Sequence, residues 1–285
     1  MSEDVKLGYI GLGKMGAPMA KRWVDWPDGV TVFDVRAEAM TPLAEAGASL
    51  ADSVADVAAA DIISVTVLDD AQVREVVGEL AANAKPGTVI AIHSTISPET
   101  AVELAEQLEP QGIHVIDAPV SGSGRAANRG ELATMVGATD EAFGLIKEPF
   151  SKWASLIIHA GEPGAGTRMK LARNMLHFIS FAAACEASKL AEAAGINLQD
   201  LGNVVRHTDA ITGGAGSIMF RDDMKPLTPD HFLYQPFLHA RGLGEKDLSL
   251  ALALGEAVDV DLPLAEVALK NLAAGLGVPH AKEQS

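Results

Sequence analysis

At 285 residues, 48% of them hydrophobic, the chain is long enough to bury a sizeable core, and its length suggests about two domains. Lys and Arg total 22 against 38 Asp and Glu, a formal charge of −16. That charge excludes a nucleic-acid partner, since neutralising phosphates takes clustered cations, and it makes any basic residue in a functional-looking segment conspicuous.

The opening MSEDVKLG has no basic region leading into an apolar stretch, and no run reaches membrane-span length, so a cytoplasmic protein without membrane contact is expected. Val5–Met19, VKLGYIGLGKMGAPM, then runs a strand-like segment onto three glycines and a helix-compatible stretch over Lys14–Trp23. This is the pattern of a dinucleotide phosphate grip. Gly11 permits the tight turn, Gly13 lets the backbone approach a pyrophosphate, Gly16 lets helix pack on strand, and the anion sits at the helix N-terminus. Gly11, Leu12, Gly13, Met15 and Gly16 are the cofactor-binding candidates of this loop. A second β-branched run, Val30–Phe33, ends in Asp34, where a carboxylate accepts the ribose hydroxyls of NAD and repels the extra phosphate of NADP. Asp34 favours NAD. Arg36 keeps NADP as an alternative, because a guanidinium pairs well with a 2′-phosphate, but it reads better as a solvated residue opening the next helix.

Further apolar runs follow at Asp61–Val67, Thr88–His93, Ile113–Asp117, Ala133–Val136 and Ser155–His159, separated by alanine-rich amphipathic segments such as Ala71–Asn83 and Pro98–Leu108. Such alternation predicts parallel strands with crossover helices, covered on both faces. After Gly166 the character changes. Thr167–Ala194 reads as one helix of roughly 28 residues, about 40 Å, and beyond it no strand is expected. Gly213–Gly216 and Pro226–Pro236 look like loops, Lys246–Val258 and Pro263–Leu276 like helices. The fold class is therefore α/β, an N-terminal Rossmann-type doubly wound sheet followed by an all-α domain joined by a long helix. Residues 1–163 would bind the dinucleotide, and residues 164–285 would serve substrate and oligomerisation. The apolar run Met175–Cys185 predicts burial between domains or subunits, hence a homodimer or homotetramer. Its one cysteine, Cys185, which alone excludes an intrachain disulfide, reads as a small buried filler.

Three more segments look chemical. Asp117–Gly130, DAPVSGSGRAANRG, leaves a predicted strand where α/β proteins bind ligands, and Ser121, Gly122 and Ser123 offer hydroxyls and backbone N–H groups suited to a carboxylate. In Gly164–Asn174, Lys170 and Asn174 stand i, i+4 and share a helix face, so they can bracket one substrate oxygen; spacing alone equally suits a solvated lysine. In KDLSLAL, Lys246 and Asp247 open an apolar helix. No histidine cluster has metal-ligand spacing, and no metal is expected.

Together these segments resemble the β-hydroxyacid dehydrogenase family, best known from 3-hydroxyisobutyrate dehydrogenase. GLGKMGAPMA at Gly11–Ala20, STISP at Ser94–Pro98, DAPVSG at Asp117–Gly122, GAGTRMKLARN at Gly164–Asn174 and KDLSLAL at Lys246–Leu252 carry the match in order along most of the chain. The resemblance implies that Lys170 is the catalytic lysine, Asn174 its partner, and Lys246 a neighbour of nicotinamide and substrate. It implies that Ser121, Gly122 and Ser123 form the substrate-carboxylate loop, that Thr95 lies beside the nicotinamide ribose, and that Leu68 and Asp69 belong to a cofactor-contacting turn. Relatives often read Leu-Pro there, so the role of Asp69 is open. Ser123 stands where many relatives have glycine, as does Ala126. Arg125 adds a cation that is either solvated or reads a second anionic group, and Arg221–Glu245 fits the family pattern poorly.

The function so implied is hydride transfer between NAD and a small anionic β-hydroxyacid or its semialdehyde, with Lys170 as general acid and base. The amine would need a lowered pKa, from desolvation at a domain cleft or from a second cation such as Lys246. His177, seven residues beyond Lys170, reads better as a wall or core histidine than as a rival. The alternatives are an NADPH-dependent reductase of an aldehyde or imine on the same scaffold, and a non-catalytic nucleotide-binding protein. Imine-reducing relatives usually lack the lysine, and a non-catalytic protein would have lost the lysine or the glycine loop.

Overall fold

The computed structural model describes residues 5–281; the first four residues of MSEDVKLG, part of the N-terminal reading above, lie outside them. Strands β1 (Leu7–Ile10), β2 (Val30–Phe33), β3 (Ser49–Leu50), β4 (Ile62–Val65), β5 (Val89–Ile92), β6 (His114–Asp117), β7 (Val120–Ser121), β8 (Leu132–Gly137) and β9 (Ala154–Gly161) form one sheet. Its order is β3-β2-β1-β4-β5-β6-β8-β7, with β9 parallel to β8. Strand residues alternate between two cores: Leu7, Tyr9, Val32 and Ile116 face one, Ile10, Ile63, Val65 and Ile92 the other. The central strands β1, β4 and β5 are buried at every position and almost wholly apolar, as strands covered on both faces are, whereas β3 is exposed and β9 is only partly covered. The covering helices are α1 (Gly16–Lys21), α2 (Ala37–Glu45), α3 (Val54–Val57), α4 (Asp70–Ala81), α5 (Pro98–Leu108), α6 (Gly124–Arg129) and α7 (Asp140–Phe150).

The sheet departs from the all-parallel expectation at one place. β8 runs antiparallel to β6 and β7. Between β6 and β8 the chain forms only β7 and the six-residue α6, a helix about 9 Å long, too short to carry it back along the sheet for a parallel crossover.

The chain falls into two compact units, one ending at Asn174 and the other starting at Met175. Helix α8 (Ala165–Ala193) belongs to both, and α9 (Leu198–Thr212), α10 (Tyr234–Ala257) and α11 (Pro263–Leu276) complete the second unit, which has no strand among the described residues. The helix expected from Lys246 in fact begins at Tyr234. Pro236 falls in its first turn, where a missing N–H costs no hydrogen bond. Gly244 is retained for packing, since a Cβ there would meet Leu272 Cδ2 of α11 at 2.5 Å.

One burial expectation is corrected: Cys185 is exposed. The run around it is exposed on the single chain as well, with Met175 63%, Phe178 61% and Phe181 55% exposed. The reason is that α8 buries only Gly166, Thr167 and Lys170 in its first two turns, and α9 buries nothing. The small core of the second unit forms instead around Leu233, Phe237, Leu276 and Val278. No helix among the described residues is long and apolar enough to cross a membrane.

Candidate active site

Strand register lines up the ends from which the candidate loops spring. Phe33 pairs with Ile10, Ile10 with Val65, Val65 with Ile92, and Ile92 with Asp117. The five carboxyl ends make one row, four strand spacings or about 19 Å long, a span suited to an extended dinucleotide. Beyond that row lie the glycine loop, Asp34, Leu68, Thr95 and the 118–123 loop, the crevice where open α/β sheets take ligands.

At one end of the row the backbone fits a pyrophosphate. Gly11 has φ +89°, and a Cβ on it would collide with the Thr66 carbonyl; a Cβ on Gly16 would collide with the Gly11 carbonyl. Gly13 faces open space, with nothing within 4 Å of where its Cβ would lie. Two glycines thus close the turn, and the third leaves the approach clear. Met15 is half-buried at the N-cap of α1. Leu12 is buried and donates its N–H to Asp34 Oδ2 at 2.7 Å. Asp34 Oδ1 accepts the Arg36 N–H at 2.9 Å and Arg36 Nε at 3.2 Å. Burial alone would raise the Asp34 pKa, but the Leu12 and Arg36 N–H groups and the Arg36 guanidinium outweigh it and hold the carboxyl below its ordinary range. Arg36 is therefore the ion-pair partner of Asp34 rather than simply a solvated residue, while it also occupies the N-cap position of α2.

In the middle of the row, Leu68 is 81% exposed and Thr95 is exposed. Ser94 ties their loops together, its Oγ accepting the Val67 N–H and donating to the Val67 carbonyl. Asp69, whose role the sequence left open, caps α4 by accepting the Gln72 N–H at 2.9 Å.

At the far end, Ser121 is half-buried in β7, Gly122 follows, and the Ser123 hydroxyl accepts the Ala126 N–H, capping α6. A Cβ on Gly122 would lie 2.6 Å from Leu132 Cδ2, and one on Gly124 would lie 3.1 Å from the Lys14 carbonyl oxygen. The glycine loop and the 121–124 loop therefore abut. Lys170 reaches the same place: it is 8% exposed, and its Nζ donates to the Val120 carbonyl at 2.6 Å. Its pKa is lowered, first by burial and then by the Arg173 guanidinium. The Arg173 guanidinium, three residues along α8, thus acts as a second cation beside the desolvation. Asn174 is half-buried, and its Oδ1 accepts from Arg173 at 3.2 Å. Lys246 lies in the second unit, mid-way along α10, exposed and paired with Asp247 at 3.1 Å. His177 packs against Phe181, ring centroids 4.2 Å apart and planes tilted by 53°.

Sequence reasoning missed the residues that hold these loops. Asp117 is fully buried and accepts the Gly164 and Thr167 N–H groups at 2.6 and 2.5 Å. His93, fully buried, bonds Ser64 Oγ through Nε2 and the Ala118 carbonyl through Nδ1. A carbonyl only accepts, so Nδ1 carries the proton, and burial pulls the imidazole pKa down to about 4, keeping it neutral. The available signal was a polar residue closing an otherwise apolar strand.

Comparison with known proteins identifies the family. Residues 6–161 match the family model for the NAD binding domain of 6-phosphogluconate dehydrogenase, and residues 164–283 match that for the NAD-binding region of NADP-dependent 3-hydroxyisobutyrate dehydrogenase. An uncharacterized oxidoreductase of Mycobacterium tuberculosis is 68% identical over 281 residues, 98% of this chain and 95% of that one. The 3-hydroxyisobutyrate dehydrogenase of Pseudomonas aeruginosa is 33% identical over 273 residues, 93% and 90% of the two chains. A crystal structure from Mycobacterium avium 104, described as an oxidoreductase, superposes with a TM-score of 0.95 at 76% identity, covering 97% of this chain and 100% of that one. A relative above 30% identity across nine-tenths of the chain, joined to two family models that together span nearly all of it, leaves one assignment: the chain belongs to the β-hydroxyacid dehydrogenase family of NAD(P)-dependent oxidoreductases, the family of 3-hydroxyisobutyrate dehydrogenase.

Proposed function

We propose that the chain interconverts a small β-hydroxyacid of the hydroxyisobutyrate kind and its semialdehyde, preferring NAD, with Lys170 moving the proton. The observation that carries this reading is the buried Lys170 amine on the Val120 carbonyl, at the edge of the 121–123 loop and beyond the strand row that starts at the glycine loop. Bound NAD(P) supplies the hydride acceptor in oxidation and the donor in reduction. Ser121, Gly122 and Ser123 hold the substrate carboxylate through hydroxyl and backbone N–H groups, which turns the reacting carbon toward the row. In oxidation the neutral Lys170 amine accepts the hydroxyl proton as the C–H pair leaves the carbon; in reduction the ammonium returns that proton to the carbonyl oxygen. Burial keeps the neutral amine accessible below the ordinary lysine range, and Arg173 adds to the effect. Asn174, one turn on, orients the same oxygen. What supports a nicotinamide- and substrate-side role for Lys246, exposed on α10, is the resemblance of KDLSLAL to the family's segment.

A panel of hydroxyisobutyrate, glycerate, serine and threonate, each with NAD and NADP and followed by absorbance of the reduced nicotinamide, tests the reading. Turnover of at least one hydroxyacid, faster with NAD, is expected. Turnover confined to aldehyde or imine reduction with NADPH would overturn it.

We infer also that the working form is at least a homodimer. Supporting this are the exposed Phe178, Ile179 and Phe181 of α8 and Val204, Val205 and Ile211 of α9, each worth about 1.5–3 kcal/mol when covered. Light scattering should give at least twice 29.7 kDa, and the double substitution Phe178→Asp with Phe181→Asp should lower that mass or the melting temperature. A native mass of one chain would refute the inference.

A further inference from the structure

We propose that Asp117 is a positioning residue for Lys170: its carboxylate grips the first turn of α8 and so determines where along the substrate loop the amine comes to rest. This rests on the reading of Lys170 as the proton carrier. Asp117 ends β6, fully buried, and takes the Gly164 and Thr167 N–H groups at the start of α8. Those donors have no partner within the helix, so the carboxylate joins helix to sheet and does not merely decorate either. Two glycines let the helix come that close. A Cβ on Gly137, across from Asp117 in the sheet, would collide with Asp117 Oδ1 and lie 2.9 Å from the Ala165 nitrogen; a Cβ on Gly166 would lie 2.7 Å from the Asp117 carbonyl oxygen.

These contacts close a ring. From Asp117 the chain runs three residues to Val120, whose carbonyl accepts the Lys170 amine; from Lys170 the helix returns one turn to Thr167, whose N–H meets Asp117. A shift of the helix start away from Asp117 would carry the Lys170 backbone with it and change the reach of the amine to the Val120 carbonyl. Asp117 acts here through geometry: its carboxylate bonds go to the Gly164 and Thr167 N–H groups of the helix start, while the Lys170 amine bonds the Val120 carbonyl.

The test compares Asp117→Asn, which replaces one acceptor oxygen by an amide, with Gly137→Ala, whose methyl pushes on Asp117 Oδ1 and the start of α8 while leaving the carboxylate's chemistry and charge in place. Both are expected to lower kcat about 10–100-fold, the penalty for displacing a catalytic group by about an ångström. The dissociation constant for NADH should stay within about threefold, and the pH midpoint of hydroxyacid oxidation should not move, as positioning without charge requires. If both variants keep kcat, or lose only melting temperature, or fail to fold, Asp117 is structural and the proposal fails. A kcat loss with a shifted pH midpoint would also overturn it, because Asp117 would then act by charge. Lys170→Ala separates the two layers: if it is inactive while Asp117→Asn is not, this inference alone falls; if it is active, the reading beneath falls with it.

Discussion

Replacing Lys170 by alanine should lower kcat for hydroxyacid oxidation by about a thousandfold, within the range that positioned acid–base groups supply, while NADH binding stays close to that of the parent. The amine is nearly buried and bonded to the Val120 carbonyl, so water cannot take its place at the same position and alignment. Lys170→Met, which retains most of the stem, controls for packing. Lys170→Arg is the sharper control: a guanidinium keeps the charge and cannot give up its proton near neutrality, so an acid–base role predicts failure in oxidation even with the cation restored. The pH dependence has a determined sign. Oxidation needs the neutral amine, so kcat/KM rises with pH through a midpoint below the ordinary lysine value and then levels; reduction needs the ammonium and falls through the same range. Arg173 contributes to the lowering, so Arg173→Ala should move both midpoints upward. Activity of Lys170→Ala within tenfold of the parent would remove Lys170 from the chemistry.

What could be read beforehand follows from how each feature is encoded. The carboxyl-end row was legible because β-branched runs such as Val30–Phe33 and Ile62–Val65 are apolar on both faces and end at glycine or at polar residues. Helix α5 was legible to the residue because Pro98 marks its first position and Leu108 its last apolar turn. Gly11, Gly13 and Gly16 were legible because each answers a different steric demand in a loop of six residues. The reversal at β8 was not, since it depends on α6 being too short for a crossover, and a six-residue helix inside DAPVSGSGRAANRG leaves no periodicity to detect. The start of α10 was hidden by Pro236, Gly242 and Gly244, residues that normally interrupt helices; Pro236 is tolerated through its place in the first turn and Gly244 is needed against Leu272. In the site, the residues that meet ligand by their chemistry could be named, whereas Asp117, His93 and Ser94 act through partners 25 to 50 positions away, and no local pattern reports such a bond. The exposed Met175–Cys185 run shows the converse: periodicity signals that a face wants covering, without saying what covers it.

At the other end of the row, Asp34→Ala is expected to lower kcat/KM for NAD by about 10–100-fold, the loss of one or two bonds to a charged acceptor worth about 1.5–3 kcal/mol, and to affect NADP less, so that the preference between the cofactors narrows. Two effects must be separated, because Asp34 Oδ2 also accepts the Leu12 N–H and its removal loosens the glycine loop for either cofactor alike. Asp34→Asn makes the separation: it keeps an acceptor for Leu12 and removes the charge, so a change in the NAD-to-NADP ratio that persists in Asp34→Asn belongs to the ribose, and one confined to Asp34→Ala belongs to the loop. Arg36 supplies the opposing arm. Held against Asp34 at 3.2 Å and 56% exposed at its side chain, it partly offsets the carboxylate, and its remaining N–H groups are available to a 2′-phosphate. Arg36→Ala should therefore cost NADP about tenfold, one bidentate charge-assisted contact, with NAD unchanged or improved. If Asp34→Ala and Arg36→Ala leave the ratio where it was, neither residue reads the ribose, and cofactor choice must reside in loops farther along the sheet.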